Sequence, residues 1–267
     1  MPMSRPAGPT SSRAAPSAGG KAAPPLVCCA ICGTESQQPV FRPLPIEQPP
    51  DLDLRPGERL RGTMSRWLQV CPECAYAAPD ISRAHPSAAE AVHAAPFRAL
   101  IAETTHPPLA RRFLAWAYVL EETGALHAAA EATLQAAWVA DDAMMPDLAT
   151  QWRLDAVALW RAGPPLDVEQ ELRVVDALRR AGEWDAAVST AEATLARHPP
   201  DMIGPALMLE RRLANARDAG RYSMGSAMPP PSHRPHVSHQ KLQAGRGFGD
   251  GLMGRFVNWA AKLFRRE

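Results

Sequence analysis

The chain has 267 residues, 28 prolines and five cysteines, a length that allows one large domain or two small ones. Its net charge of +1 conceals an acidic body between basic ends: residues 1–26 carry +3, 27–84 carry −1, 85–219 carry −7 and 220–267 carry +6. No run approaches the roughly 18 apolar residues of a spanning helix, and the first 25 residues lack the apolar core of a secretory signal, so the expected location is cytoplasmic, or peripheral at the inner face of the membrane.

Residues 1–25 are rich in Pro, Ala, Ser and Gly and bury too little apolar surface to offset their ordering entropy, which predicts disorder. Residues 26–84 follow as a candidate metal module, because all five cysteines fall between 28 and 74. Four of them form two close pairs, Cys29/Cys32 and Cys71/Cys74. In a reducing compartment such pairs point to metal rather than to disulfides.

A Cys-x-x-Cys turn presents two thiolates from one knuckle, and two knuckles complete the tetrahedron that Zn2+ prefers. Gly33 follows the first knuckle and suits the turn that aims backbone amides at sulfur; Ala75 stands at the same place in the second. With four sulfur ligands no coordination position stays open, so the predicted zinc is structural. Iron is the alternative metal, since Trp67 to Cys74 loosely resembles the second knuckle of a rubredoxin, and iron would imply electron transfer. Cys28 is read as a spare thiol, with a Cys28-x-x-x-Cys32 register as the alternative.

Between the pairs, short β-like runs are expected at Val40-Phe41 and Trp67–Val70, and the proline-rich, acidic stretch 43–55 is expected to be an exposed loop. The module has six Lys/Arg against seven Asp/Glu, which argues against nucleic acid, because binding to phosphates needs clustered positive charge.

From about residue 86 the pattern turns helical. Leu109, Phe113, Trp116, Ala117 and Leu120 share one helical face, and Gly124 ends that helix. Further helices are predicted at 126–140, 146–162, 166–181 and 184–197, with Gly163-Pro164-Pro165, Gly182 and Pro199-Pro200 as breaks. Two stretches, 111–138 and 166–199, carry the order of a tetratricopeptide repeat, although Thr133 and Ala191 stand where its aromatic belongs and Glu171 where a large apolar residue belongs. The expected fold is mainly α: a small N-terminal zinc ribbon of short β-hairpins, then a tetratricopeptide-like helical domain over 85–219. By motif position Arg111, Tyr118, Glu121, Asp176 and Arg179 are the candidate residues of a partner groove.

Residues 220–250 are predicted to be a linker. His233, His236 and His239 are spaced for a weak metal site only if helical, and Pro235 argues against that. The glycines from 245 to 251 lack the strand and the Gly-Lys-Ser/Thr of a phosphate loop. Residues 251–267 read as a basic amphipathic helix, with Leu252, Phe256, Trp259, Leu263 and Phe264 on one face and Arg255, Lys262 and Arg265 on the other. That pattern suits peripheral membrane contact or docking to a protein groove.

Cys29-x-x-Cys32-Gly33, then Val70-Cys71-Pro72-Glu73-Cys74-Ala75-Tyr76-Ala77, then tetratricopeptide-like turns resemble an uncharacterised bacterial zinc-ribbon and tetratricopeptide family, a domain of unknown function. The resemblance covers roughly residues 27–200, departs from the family pattern at Ala75, and implies the same metal site and helix stack without a known reaction. No catalytic constellation emerges, so the expected role is a non-enzymatic adaptor with a protein partner and no small-molecule substrate.

Overall fold

The computed structural model describes residues 24–228 apart from positions 43, 46, 200 and 201. Nearly all of the segment predicted to be disordered, the linker beyond 228 and the predicted helix 251–267 lie outside the described residues. The fold is mainly helical, with two small antiparallel hairpins near the N-terminus.

The hairpins frame the cysteine pairs. Strands β1 (Leu26–Cys28) and β2 (Glu35–Gln37) pair with Val27 opposite Ser36, while β3 (Gln69–Val70) and β4 (Ala77–Ala78) pair with Val70 opposite Ala77. Only the end of the run predicted at 67–70 is strand. Val40 and Phe41 are not in a strand; Phe41 instead meets the Trp67 ring edge-on at 6.3 Å.

Between the hairpins lies a short helix, α1 (Glu58–Arg61). After them come α2 (Ala88–His93), α3 (Ala95–Ala102), α4 (Pro108–Glu122), α5 (Leu126–Asp142), α6 (Pro146–Ala162), α7 (Val168–Arg180), α8 (Trp184–Leu195) and α9 (Ile203–Asn215). Neighbours in sequence are neighbours in space from α4 to α9. Short turns that enforce this adjacency end α4 and α7 in the same way. Ala125 N–H bonds Leu120 O and Gly124 N–H bonds Glu121 O; likewise Glu183 bonds Leu178 and Gly182 bonds Arg179, so orphan end carbonyls are satisfied by Schellman closures. Helix α7 starts on a capping box in which Asp167 accepts from the Glu169 and Gln170 amides.

Helix α4 is buried on more than the one face its periodicity predicts. Phe113 and Ala110 enter a core with Leu134, Trp138, Trp152 and Trp160, while Ala115 and Val119 pack under the hairpins. Small residues at 110, 115 and 117 let both layers approach closely.

Two expectations are corrected. Residues 50–55 are not an exposed loop: Leu52, Asp53, Leu54 and Arg55 are all at most 1% exposed. They form a buried strap folded on a tight turn, with Leu54 N–H bonding Asp51 O and Leu54 left-handed at φ 64°, in which Leu52 and Leu54 join Leu172, Val175, Leu207 and Met224 in one cluster. Nor is the start of the predicted linker free, because Leu52 N–H bonds Tyr222 O and Met224 N–H bonds Pro50 O, at 2.9 and 2.8 Å. The physical reason is compensation at long range. Asp53 accepts from Trp138 Nε1 at 2.7 Å, and Arg55 donates to Trp138 O at 3.1 Å and to Asp142 at 2.5 Å, so charges that argue for exposure locally are paired by α5.

Candidate metal centre

The four cysteine sulfurs of the two knuckles converge, all lying within 4.8 Å of one another. Cys29 Sγ is 3.8 Å from Cys74 Sγ and Cys32 Sγ is 3.4 Å from Cys71 Sγ, so each close pair joins one knuckle to the other. A tetrahedral metal with sulfur at about 2.3 Å needs sulfur–sulfur edges of about 3.8 Å. The observed distances fit that tetrahedron with little adjustment.

The local backbone explains the convergence. In the first knuckle Gly33 N–H bonds Cys29 O and Cys29 N–H bonds Thr34 O; in the second, Ala75 N–H bonds Cys71 O and Cys71 N–H bonds Tyr76 O. The same tight turn is therefore made twice, with the third residue after each leading Cys inside it. The residue that follows each second Cys is left-handed, Gly33 at φ 76° and Ala75 at φ 58°. Glycine takes this conformation without strain, whereas alanine puts Cβ too near the carbonyl, at a cost of about 1 kcal/mol. Ala75→Gly is accordingly expected to raise the unfolding free energy of the metal-bound chain by up to about 1 kcal/mol, read by urea denaturation; a lower stability would show that Ala75 makes contacts outweighing its strain.

Electrostatics favour thiolate where solvent reaches and are opposed by burial where it does not. Hydrogen bonds from the Thr34 hydroxyl and then its amide bring the Cys32 thiol down to about 6. Burial pushes Cys71 up, opposed by the amides of Cys74 and Glu73, and burial pushes Cys74 well up, opposed by the amide of Tyr76. The backbone amides of Thr34, Glu73, Cys74 and Tyr76 thus all favour the thiolate forms. This donor set suits a bound cation, whose charge offsets the desolvation that burial imposes. Cys28 stays outside the cluster, its Sγ 3.4 Å from Gly33 O.

Tyr76 fastens the knuckles to the helices. Its ring is fully buried with Ile81, Phe97, Ala115 and Val119, and its hydroxyl donates to Arg83 O while accepting from His85 N–H, both at 3.0 Å.

The candidate groove residues meet a different fate. Asp176 and Arg179 are 2% and 0% exposed, because α9 and the segment after it close over them, and they are not available to a docking segment. Arg111 donates to Ile101 O at 2.9 Å and Tyr118 packs edge-on to Phe97 at 5.8 Å, so both serve α3. Glu121 is exposed. An open groove of about 670 Å3 lies elsewhere, between the end of α6, α7 and α8, lined by Trp160, Pro164, Leu166, Glu171, Ala193 and Arg197 among others. Its lining combines the Gly163–Leu166 connection with Glu171 and Val174 of α7 and Ser189, Thr190, Ala193 and Thr194 of α8, none of them a motif-predicted groove position.

Together the fold and the site define a helical stack carrying a four-cysteine cluster that can hold a metal ion. Compared with family models, with curated proteins and with solved structures, the chain finds no match in any of the three. Among the described residues no helix is long and apolar enough to cross a membrane.

Proposed function

We propose that this chain is a non-enzymatic adaptor, stapled by one structural zinc ion, whose helical stack receives a segment of another protein. The observation that carries the reading is the closed set of four sulfurs, which leaves a metal no open position for water or substrate. Membership of the zinc-ribbon and tetratricopeptide family that its knuckles resemble belongs to the same proposal. Iron at these sulfurs is the second reading; four converging thiolates suit it equally, and it would make electron transfer the function.

The groove between α6, α7 and α8 is the proposed receiving surface. It offers Pro164, Leu166 and Val174 beside Arg161 and a Glu171–Arg197 pair at 3.4 Å, a mixture suited to an apolar segment with a polar flank. In this reading residues 252–266, whose sequence pattern is that of a basic amphipathic helix, supply a second contact at a membrane surface.

Ala193 is exposed on α8 and lines the groove, so Ala193→Trp fills it without replacing a core side chain. A partner captured by the full chain from a cell extract should be lost at least tenfold with Ala193→Trp and retained with Glu121→Lys. Undiminished capture by Ala193→Trp would remove the groove from the proposal.

A further inference from the structure

Helices α7 and α9 meet over three charged side chains that water does not reach. Those of Arg179 and Glu210 are fully buried and that of Asp176 is 3% exposed. Arg179 donates through Nη1 to the carbonyls of Asp218 and Gly220, which leaves its other two nitrogens for the acids. Its Nη2 reaches Asp176 Oδ1 at 2.7 Å and its Nε reaches Glu210 Oε2 at 2.5 Å. One cation thus faces two carboxyl groups. The second oxygen of each, Asp176 Oδ2 and Glu210 Oε1, is buried and finds no hydrogen-bond partner among the described residues.

With both acids ionised the site would hold a net negative charge out of water and two oxygens without donors, and both conditions oppose folding. The surrounding charges are already engaged. On α7, Arg180 faces Asp176 but donates to Asp141 at 2.8 Å and lies 3.7 Å from Asp53. The strap brings only further acid, Asp53 and Asp51, whose carboxyls burial pushes up. On α8, Glu192 pairs with Arg211 of α9 at 3.7 Å, and after α9 the Asp218 carboxylate accepts from the Tyr222 hydroxyl. Asp176 lies within hydrogen-bonding range of Glu210, and burial, followed by Asp176, holds the Glu210 carboxyl well above its usual range with Arg179 opposing. A single proton removes the excess charge and lets one orphan oxygen donate to the other.

We infer that Asp176 and Glu210 hold one proton between them beside Arg179, and that this shared proton fastens α9 to α7 and makes the closure of α9 pH-sensitive. Its loss sets two like charges against each other across the contact between the helices. The folded pair keeps a proton that the unfolded chain gives up in the ordinary carboxylate range, so stability falls as pH rises from that range.

The test is difference infrared spectroscopy on the full chain at neutral pH, together with urea denaturation across pH. The unmodified chain should show the carbonyl stretch of a neutral carboxylic acid that is missing from both Glu210→Gln and Asp176→Asn, because neither variant keeps two acids to share a proton. Glu210→Gln preserves the shape of the site. Relative to that variant, the folding constant of the unmodified chain should fall by about tenfold per pH unit above the ordinary carboxylate range. A band that survives in Asp176→Asn would mean that burial alone keeps Glu210 neutral, and the sharing falls. Spectra that do not differ, with parallel pH profiles, would mean that both acids are ionised, and the whole inference falls. Asp176→Asn decides alone if Glu210→Gln does not fold, and Asp176→Ala takes its place if Asp176→Asn does not.

Discussion

Cys71→Ser is expected to abolish stoichiometric metal binding and to unfasten the hairpins together with α2 and α3. Elemental analysis should give one equivalent of zinc for the unmodified chain and close to none for the variant, and neither should show the visible bands of an iron thiolate. Cys71 is 1% exposed and faces Cys32 across 3.4 Å, so no water replaces it without opening the cluster. Structural zinc sites in small domains carry about 10–16 kcal/mol of apparent binding free energy, and that energy is folding energy for whatever forms the site. Here the dependent layer is the cluster of Tyr76, Ile81, Val92 and Phe97 against α4. Melting should split, with an early step for this layer and a later one for the stack around Trp138 and Trp160. Cys28→Ser separates the two registers: it should leave metal content unchanged, because its sulfur lies outside the cluster. Full zinc content in Cys71→Ser would defeat the four-cysteine assignment, and one equivalent of iron in the unmodified chain would move the function to electron transfer.

What the sequence conveyed about this molecule follows the range of the interactions involved. The knuckles were legible because a Cys-x-x-Cys turn is local, its spacing already placing two sulfurs together. The helices from 108 to 195 were legible because period and glycine breaks are local too, and their predicted ends agree with the structure to within about two residues. The strap was not. Residues 52–55 are buried whatever their polarity and fold as a turn rather than a strand, so their charges argue for exposure unless partners 83 to 87 residues away are known. The same blindness misplaced the groove. Asp176 and Arg179 occupy positions that face a partner in a regular repeat, but α9, whose start is obscured by Gly204 and Pro205, folds over them here.

Arg179→Ala should be among the most destabilising single changes in the helical stack, at about 3–5 kcal/mol by urea denaturation. Its guanidinium is fully buried and meets Glu210 through Nε at 2.5 Å, Asp176 through Nη2 at 2.7 Å, and the carbonyls of Asp218 and Gly220 through Nη1 at 2.7 and 2.8 Å. It therefore ties α7 to α9 and to the segment that pairs with the strap. Removing it leaves two buried carboxylates facing each other without their shared cation. Burial, and then Asp176, already hold the Glu210 carboxyl well above its usual range, with Arg179 opposing; without Arg179 that rise must grow. A carboxyl whose folded pKa lies above its unfolded value costs nothing when both states are protonated and costs most when both are ionised. The deficit of Arg179→Ala relative to the unmodified chain should consequently be largest above neutral pH and should shrink as pH falls toward the ordinary carboxylate range. Arg179→Met combined with Glu210→Leu should lose less than Arg179→Ala alone, since an apolar pair leaves one buried charge fewer uncompensated. A pH-independent deficit, or a double variant as unstable as the sum of its parts, would mean that Arg179 acts through packing and its two carbonyl bonds, and that the ion pair contributes nothing to holding α9 on α7.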